Sequence, residues 1–252
     1  MSNSAMSPVS RDSSAQPATT RECWVNGEFT AEHDARVSIF DRGLLFADGV
    51  YEVAAVYNGR LLDADLHLAR LERSLAALQI GGTMSASEWT AVMQSLADRN
   101  GVDEGLVYLQ VTRGTAERDF PFPASTTPPT QFAYARPKPY RYDPNASGVA
   151  LHSVADIRWT RRDIKSIALL AQVLAKQEAR AAGAYEAMMH EDGVVTEGGS
   201  STLWIVKNGV IRTCPLSHKI LAGITREVII GLAGSLGIPV SERAFTLAEA
   251  LL

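Results

Sequence analysis

DIRWTRRDIKSIALLAQVLAKQEA, residues 156–179, joins a polar, arginine-rich segment to an apolar one. The apolar residues recur at helical spacing, which predicts a helix from Ile167 to about Ala182 that ends at Gly183. Lys165 stands where the polar segment passes into the apolar one. Its amine could therefore point into a cleft, where burial and nearby arginines would lower its pKa. A lysine near a helix start is more often a surface charge, so the rest of the sequence must decide.

Lysine is scarce in this chain, with only five among 24 basic residues. The other four occupy ordinary positions in a linker, among polar residues of the predicted helix, in a hairpin and in a polar loop: Lys138, Lys176, Lys207 and Lys219. Lys165 is thus the one lysine whose position suggests chemistry.

The sequence around this stretch predicts strands in quick succession. GVALHSV (148–154) precedes it, and AYEAMMH, VVTEG, TLWIVK and VIRT follow between residues 184 and 213, separated by turns such as Asn208-Gly209. A helix is predicted from Gly223 to Gly237, and IPVSER (238–243) predicts a last strand. Strands are clustered here rather than alternating with helices, which favours an α+β fold.

The first half of the chain predicts two hairpins and two helices. Asn26-Gly27 and Asn58-Gly59 lie between apolar runs, the strongest short-range hairpin signal. One helix is predicted from Asp63, with leucines at helical spacing and Gly81-Gly82 as its stop. A second begins at Ser85, which has a capping-box spacing to Glu88. GLVYLQVTRG (105–114) predicts a strand, and the proline-rich residues 121–145 predict a covering loop followed by a linker.

Composition places the chain among folded proteins without a nucleic-acid footprint. It has 28 acidic and 24 basic residues, a net charge of −4, and two cysteines. Such a balance gives no global attraction for nucleic acid, and so few cysteines indicate a reducing compartment. No apolar run reaches the ~20 residues of a membrane helix. We therefore expect a cytoplasmic protein with no nucleic-acid or membrane partner. Residues 1–21 are rich in serine, and we expect them to form a disordered tail.

Three further features could carry chemistry. Glu197 lies in the small-residue run TEGGSS (196–201), where a carboxylate held against a heterocyclic nitrogen would keep it protonated. Ile224 and Thr225 open a helix whose free N–H groups and dipole suit a phosphate. Arg70, on the first helix, is a second candidate phosphate ligand. Taken singly, each feature has a simpler interpretation. The run around Glu197 would be a polar turn, Ile224 and Thr225 an ordinary helix end, and Arg70 a surface arginine.

Together these features, in this order, resemble the class IV (fold type IV) pyridoxal-phosphate (PLP) aminotransferases, and most closely the D-amino-acid aminotransferases. The resemblance runs from about Cys23 to the last residue. It is carried by FDRGLLFADGVYEVAAVYNG, HLARLERS, LQVTRGTAER, DIRWTRRDIKSIALLAQVLAKQEA, YEAMMHEDGVVTEGGSS, LAGITREV and FTLAEAL.

The resemblance implies a two-domain α+β enzyme that uses PLP to exchange an amino group between an amino acid, such as D-alanine, and a 2-oxo acid. It implies a small N-terminal α/β domain (22–136), a linker (137–142) and a larger pseudo-barrel domain that binds PLP (143–252). By the same resemblance Lys165 is the catalytic residue that binds the cofactor, Glu197 pairs with its pyridine nitrogen, and its phosphate is held by the set Arg70, Ile224, Thr225 and Ser201. Tyr51, Arg118 and Phe120 would face the substrate, with Arg118 reaching across a homodimer.

The match has three departures. Phe120 stands where the D-amino-acid enzymes have a histidine that helps hold the carboxylate, and Ala168 replaces an asparagine. The family also continues beyond the point where this sequence stops, so the PLP-binding domain is expected to be incomplete. The alternatives are a branched-chain or (R)-amine transaminase, an aminodeoxychorismate lyase, a truncated non-catalytic relative, or an unrelated α+β binding protein.

Overall fold

The computed structural model describes residues 20–140, 143 and 145–251, and over that part of the chain it contains six helices and twelve strands. The mixture confirms the predicted α+β class. In chain order the elements are β1 (Glu22–Val25), β2 (Glu28–Ala31), α1 (Arg42–Phe46), β3 (Gly49–Tyr57), β4 (Arg60–Leu61), α2 (Ala64–Leu78), α3 (Ala86–Arg99), β5 (Gly105–Thr112), β6 (Thr130–Pro137), β7 (Leu151–Ala155), α4 (Leu170–Ala181), β8 (Glu186–Glu191), β9 (Val194–Gly198), β10 (Trp204–Lys207), β11 (Val210–Thr213), α5 (Ile224–Ser235), β12 (Val240–Glu242) and α6 (Leu247–Ala250).

The predicted N-terminal tail lies outside the described residues, apart from Thr20 and Arg21. Among the helices that are described, none is both long and apolar enough to cross a membrane.

The first half of the chain forms a six-stranded antiparallel sheet in the order β2-β1-β6-β5-β3-β4. Both predicted hairpins are confirmed. The turn residues Asn26, Gly27, Asn58 and Gly59 all have positive φ, between 48° and 105°, the conformation that two-residue hairpin turns require.

Strand β6 corrects the prediction for residues 121–145. Instead of a loop that runs into a linker, Thr130–Pro137 forms a strand between β1 and β5. The prolines lie just before this strand and at its last residue, where they remove no interior ladder bond. Ala133 and Ala135 are buried within it, but alanine gives a weak apolar signal, so the alternation was hidden by the proline-rich flanks.

Helices α2 and α3 cover one face of this sheet. Their buried side chains pack with the strand residues into one apolar cluster, to which the helices contribute Leu68, Leu71, Leu75, Trp89, Met93 and Leu96. The capping box of Ser85 and Glu88 is present at the start of α3, as predicted. Helix α2 ends before the predicted glycine stop, because Gln79 already adopts a left-handed conformation with φ of 56°.

The second half of the chain contains two three-stranded sheets, β7-β8-β9 and β10-β11-β12. Helix α4 begins at Leu170, three residues later than predicted. The cause is pairing with the first sheet: Ser166 forms a bridge with Val50, and the Ile167 N–H donates to the Gly49 carbonyl at 3.1 Å. This pairing ties the segment that contains Lys165 to strand β3.

Candidate active site

Lys165 lies against strand β3 and helix α2. Its carbonyl accepts a hydrogen bond from the Tyr51 N–H at 3.1 Å, and its own N–H donates to the Ser74 hydroxyl at 3.3 Å. The ammonium nitrogen is 4.2 Å from the centroid of the Tyr51 ring. The hydrogen bonds to Tyr51 and Ser74 therefore fix the backbone of Lys165. The Tyr51 ring lies beside its amine.

The pKa of Lys165 is lowered to about 8. Burial is the largest cause and the charge of Arg70 adds to it, while the carboxylates of Glu52 and Glu197 act in the opposite direction. An amine with this pKa has a substantial neutral fraction near neutral pH, so it can act as a nucleophile or a base. The predicted effect of burial on this lysine is thereby supported.

Glu197 is buried near the end of β9. One carboxylate oxygen accepts from the Leu221 N–H at 3.2 Å, and the other forms an ion pair with the Arg158 guanidinium. Burial nevertheless outweighs the attraction of Arg158 and raises the pKa of Glu197. A second positive partner that approached this carboxylate would therefore be stabilised.

A buried charge network orients Arg158 behind Glu197. Asp156 accepts two hydrogen bonds from the Arg158 guanidinium, at 2.9 and 2.7 Å, and a third from the Thr196 hydroxyl at 2.7 Å. Neither Asp156 nor Arg158 was predicted from the sequence. Their signal was the alternation of opposite charges in DIRWTRRD, but the partner of such a charge cannot be known without the fold.

Arg70 is buried on α2 and forms a bidentate pair with Glu52, with N···O distances of 2.7 and 2.8 Å. His67 contacts the same carboxylate at 2.7 Å, and these two partners hold the pKa of Glu52 below its usual value despite complete burial. Arg70 also donates to the Ala222 carbonyl at 2.8 Å. Sequence reasoning missed Glu52, although an acidic residue inside the apolar strand VYEVAAVY was a usable signal.

The Ala222 contact brings Arg70 to the N-terminus of α5. Gly223 is the capping residue and has no side chain to occupy the first N–H groups of the helix, which lack intrahelical partners. A Cβ at Gly223 would lie 3.0 Å from the Thr202 hydroxyl oxygen, so a larger residue would crowd this end. Ile224 is buried and Thr225 is exposed there. A guanidinium and a helix N-terminus together suit an anionic group.

Ser201, Arg118 and Phe120 lie outside this arrangement. The exposed Ser201 donates its hydroxyl to Glu186 at 3.3 Å. Arg118 and Phe120 are exposed in the segment of residues 115–122 between β5 and β6, called the Arg118 loop below. Arg118 stacks near the rings of Phe46 and Phe120, at 5.3 and 5.8 Å, and forms no ion pair with any described residue.

The comparisons with known proteins now identify the family. The model of the amino-transferase class IV family matches residues 49–251. The chain belongs to the class IV aminotransferases. The D-alanine aminotransferase of Staphylococcus aureus (strain MSSA476) is 42% identical over 223 residues, which are 88% of this chain and 79% of that protein.

Two solved structures support the same fold, fold type IV. The branched-chain aminotransferase of Thermoproteus uzoniensis, solved with norvaline, is 28% identical, with a TM-score of 0.78 over 92% of this chain and 80% of that one. The branched-chain amino acid aminotransferase from Escherichia coli is 24% identical, with a TM-score of 0.79 over 90% of this chain and 77% of that one.

Class IV aminotransferases depend on PLP, so the chain is a PLP-dependent aminotransferase. The structure fits that cofactor at three points. It has an amine with a pKa of about 8, a buried carboxylate whose pKa is raised, and a guanidinium beside a helix N-terminus that has no side-chain cap. The charges of Arg70 and Glu197 both act on the Lys165 amine, as expected if one small cofactor contacts all three.

Proposed function

We propose that this aminotransferase acts on D-amino acids, with D-alanine as donor and a 2-oxo acid as acceptor. The observation that carries the proposal is the amine of Lys165, whose pKa is lowered to about 8, held against Tyr51 within reach of the charges of Arg70 and Glu197. The D-alanine donor is inferred from the 42% identity with the D-alanine aminotransferase of Staphylococcus aureus.

In this proposal Lys165 has two roles: it holds PLP through its amine and, when released, moves the proton between the substrate Cα and the cofactor. PLP supplies an electron sink for the substrate Cα when it is bound. Glu197 stabilises positive charge on the pyridine nitrogen, and Arg158 keeps that carboxylate in place. Arg70 and the backbone N–H groups of Ile224 and Thr225 bind the phosphate.

Ser201 contributes little in this scheme, since its hydroxyl is already engaged by Glu186. Arg118 is proposed to bind the substrate carboxylate through its planar set of donors. Because its guanidinium is exposed and has no carboxylate partner among the described residues, we propose that it serves the site of a second copy in a homodimer. Tyr51 and Phe120 complete the substrate surface.

A branched-chain aminotransferase is the second candidate. Phe120 replaces the polar residue that the D-amino-acid enzymes have at this position, and the residue is 76% exposed. An exposed phenylalanine favours an apolar substrate side chain. The 28% identity with the branched-chain enzyme of Thermoproteus uzoniensis supports the same alternative.

The test compares D-alanine, L-alanine and L-leucine as donors to 2-oxoglutarate, with the PLP-saturated protein and with Lys165→Ala. We expect 2-oxo acid formation from D-alanine that Lys165→Ala abolishes, while Lys138→Ala, a change at an exposed lysine, leaves it intact. Faster turnover of L-leucine than of D-alanine would favour the branched-chain alternative. No turnover of any donor by a protein that binds PLP would favour a non-catalytic relative.

A further inference from the structure

Beyond Arg118, the backbone of the Arg118 loop is held to α1 by one guanidinium. Arg42, the first residue of α1, donates to three successive backbone carbonyls of the loop: Asp119 at 2.6 Å, Phe120 at 3.3 Å and Pro121 at 3.3 Å. The Arg42 side chain is 4% exposed. A buried charged group that makes three contacts with main-chain oxygens fixes the path of a loop, whatever its side chains are.

Asp48 orients Arg42 and a second arginine. Its carboxylate accepts from the Arg42 Nε at 2.8 Å and from the Arg113 Nε and Nη2 at 2.7 and 3.0 Å. These two guanidinium groups keep the pKa of Asp48 below its usual value although the carboxyl is partly buried. Arg113 also stacks 3.6 Å from the centroid of Phe122. The two arginines that contact the two ends of the segment 119–122 are therefore both oriented by the Asp48 carboxylate.

Arg42 and the Asp48 carboxylate that orients it are called the clamp below. The clamp is linked to Arg118 by the ring of Phe46. The Phe46 ring lies 4.7 Å from the Arg42 guanidinium and 5.3 Å from that of Arg118, and it packs against Phe120 with ring centroids 5.6 Å apart. Asp48 also connects this region to Lys165 along the chain. The next residue, Gly49, accepts the Ile167 N–H at its carbonyl, at 3.1 Å. The loop that contains Arg118 and the segment that contains Lys165 are thus attached to the same corner of β3.

We propose that Arg42, oriented by Asp48, is a positioning residue that fixes the Arg118 loop and thereby determines how tightly the substrate carboxylate is bound. The proposal rests on the proposed role of Arg118. Neither Arg42 nor Asp48 contacts the substrate; they act through the loop backbone and Phe46. A lysine at position 42 keeps the positive charge beside Asp48, but its ammonium has only three N–H donors, too few to serve Asp48 and three carbonyls at once.

The first experiment measures how firmly the clamp holds the Arg118 loop, with a readout that does not depend on activity. Hydrogen exchange of residues 115–122 is compared in the PLP-saturated wild type, Arg42→Lys and Arg36→Lys. Arg36 is a matched control because it is exposed and bonds only to carbonyls of its own turn, those of His33 and Ala35. We expect faster exchange of the loop in Arg42→Lys alone, by about tenfold. Unchanged exchange in Arg42→Lys overturns the proposal.

The second experiment separates positioning from general destabilisation. For D-alanine, Arg42→Lys is expected to raise KM about tenfold and to change kcat less, because misplacement of one binding group weakens substrate binding. In the Arg118→Gln background the same substitution is expected to add no further rise in KM, since its effect passes through Arg118. Equal rises in both backgrounds would overturn the proposal.

The two experiments also separate failure of the clamp from failure of the proposed function. A wild type that does not transaminate D-alanine contradicts the proposed function, and the exchange experiment then decides the clamp by itself. Asp48→Asn serves as a second variant, which keeps the shape of the side chain and removes the charge that orients Arg42 and Arg113. It is expected to speed exchange of the loop as Arg42→Lys does, and slow exchange in both variants would overturn the proposal.

Discussion

The surroundings of Lys165 and the Arg118 loop differ in how their charged groups are placed. Around Lys165, the buried groups Glu52, Arg70 and Glu197 all have partners of opposite charge or polarity. In the Arg118 loop, the charged group itself is exposed, and the loop is held through its backbone carbonyls and through the packing of Phe120 on Phe46. Charges that must be desolvated need partners within the fold, whereas an exposed arginine is free to receive a carboxylate. The buried charges of the first region are paired within one chain, and the second region presents an exposed guanidinium.

The largest expected effect concerns Glu197. Glu197→Gln removes the carboxylate charge but keeps the shape, and we expect kcat to fall about 10²–10³-fold, the usual size for loss of a preorganised charge. Steady-state kinetics with D-alanine measure it. Glu186→Gln is the matched control, since Glu186 is also buried, on the neighbouring strand, and pairs with Lys176 at 3.1 Å. An equal loss in both variants would mean that the region around Lys165 depends on buried charge in general.

The second prediction concerns the pKa of Lys165, which is lowered to about 8 mainly by burial. The amine reacts with PLP only when neutral, and its neutral fraction rises with pH up to the pKa and then levels off. Uptake of PLP by the apoprotein should therefore accelerate about 50-fold between pH 6 and pH 8 and change little above pH 9. Stopped-flow absorbance follows it. A rise that continues to pH 10.5 would show that the surroundings of Lys165 do not desolvate the amine.

The third prediction concerns Glu52, which orients Arg70. Glu52→Gln weakens a bidentate ion pair, so we expect the Kd for PLP to rise about tenfold, the worth of one charge-assisted hydrogen bond. Titration by absorbance or fluorescence measures it. Glu72→Gln, at an exposed position of the same helix, should leave the Kd unchanged. An unchanged Kd in Glu52→Gln would indicate that Arg70 needs no orienting partner.

The smallest predicted effect lies in the Arg118 loop. Phe120→His introduces a donor beside Arg118, and the KM for D-alanine should fall about fivefold, somewhat less than a full charge-assisted bond provides. Steady-state kinetics at pH 6.5 and pH 8.5 separate the protonated from the neutral imidazole. Phe120→Leu is the control that stays apolar. A fall in KM with leucine as well would mean that the ring of Phe120 merely obstructs the substrate.

The same contrast explains what could be predicted from the sequence. Hairpin turns and the α3 capping box are local signals, and the structure has them where Asn26-Gly27, Asn58-Gly59 and Ser85 predict them. Strand β6 was missed because proline-rich flanks hide its weak alternation, and its place in the sheet depends on pairing with β5 across a long loop and with the distant strand β1. Local chemistry thus determines turns and caps, while sheet order depends on contacts between distant segments.

The candidate site divides in the same way. Residue type and position made Lys165, Glu197 and Arg70 candidates, and the family resemblance assigned their roles. In the structure the charges of Arg70 and Glu197 both act on the Lys165 amine, and the three roles stay predictions. Their partners Glu52 and Arg158 were missed, because an ion pair between residues 18 or 39 positions apart has no spacing rule. The roles of Ser201, Arg118 and Phe120 stay predictions as well, and the structure places these three outside the group around Lys165.

The most direct test is to find which lysine holds PLP. The PLP-saturated protein is reduced with borohydride, digested and examined by peptide mass spectrometry, so that each of the five lysines is assessed in one experiment. We predict the reduced cofactor on Lys165 alone, because its amine has the lowered pKa and the neighbouring charges that suit the group. Cofactor on Lys176 or on several surface lysines, with Lys165 unmodified, would contradict the assignment of Lys165 as the catalytic residue.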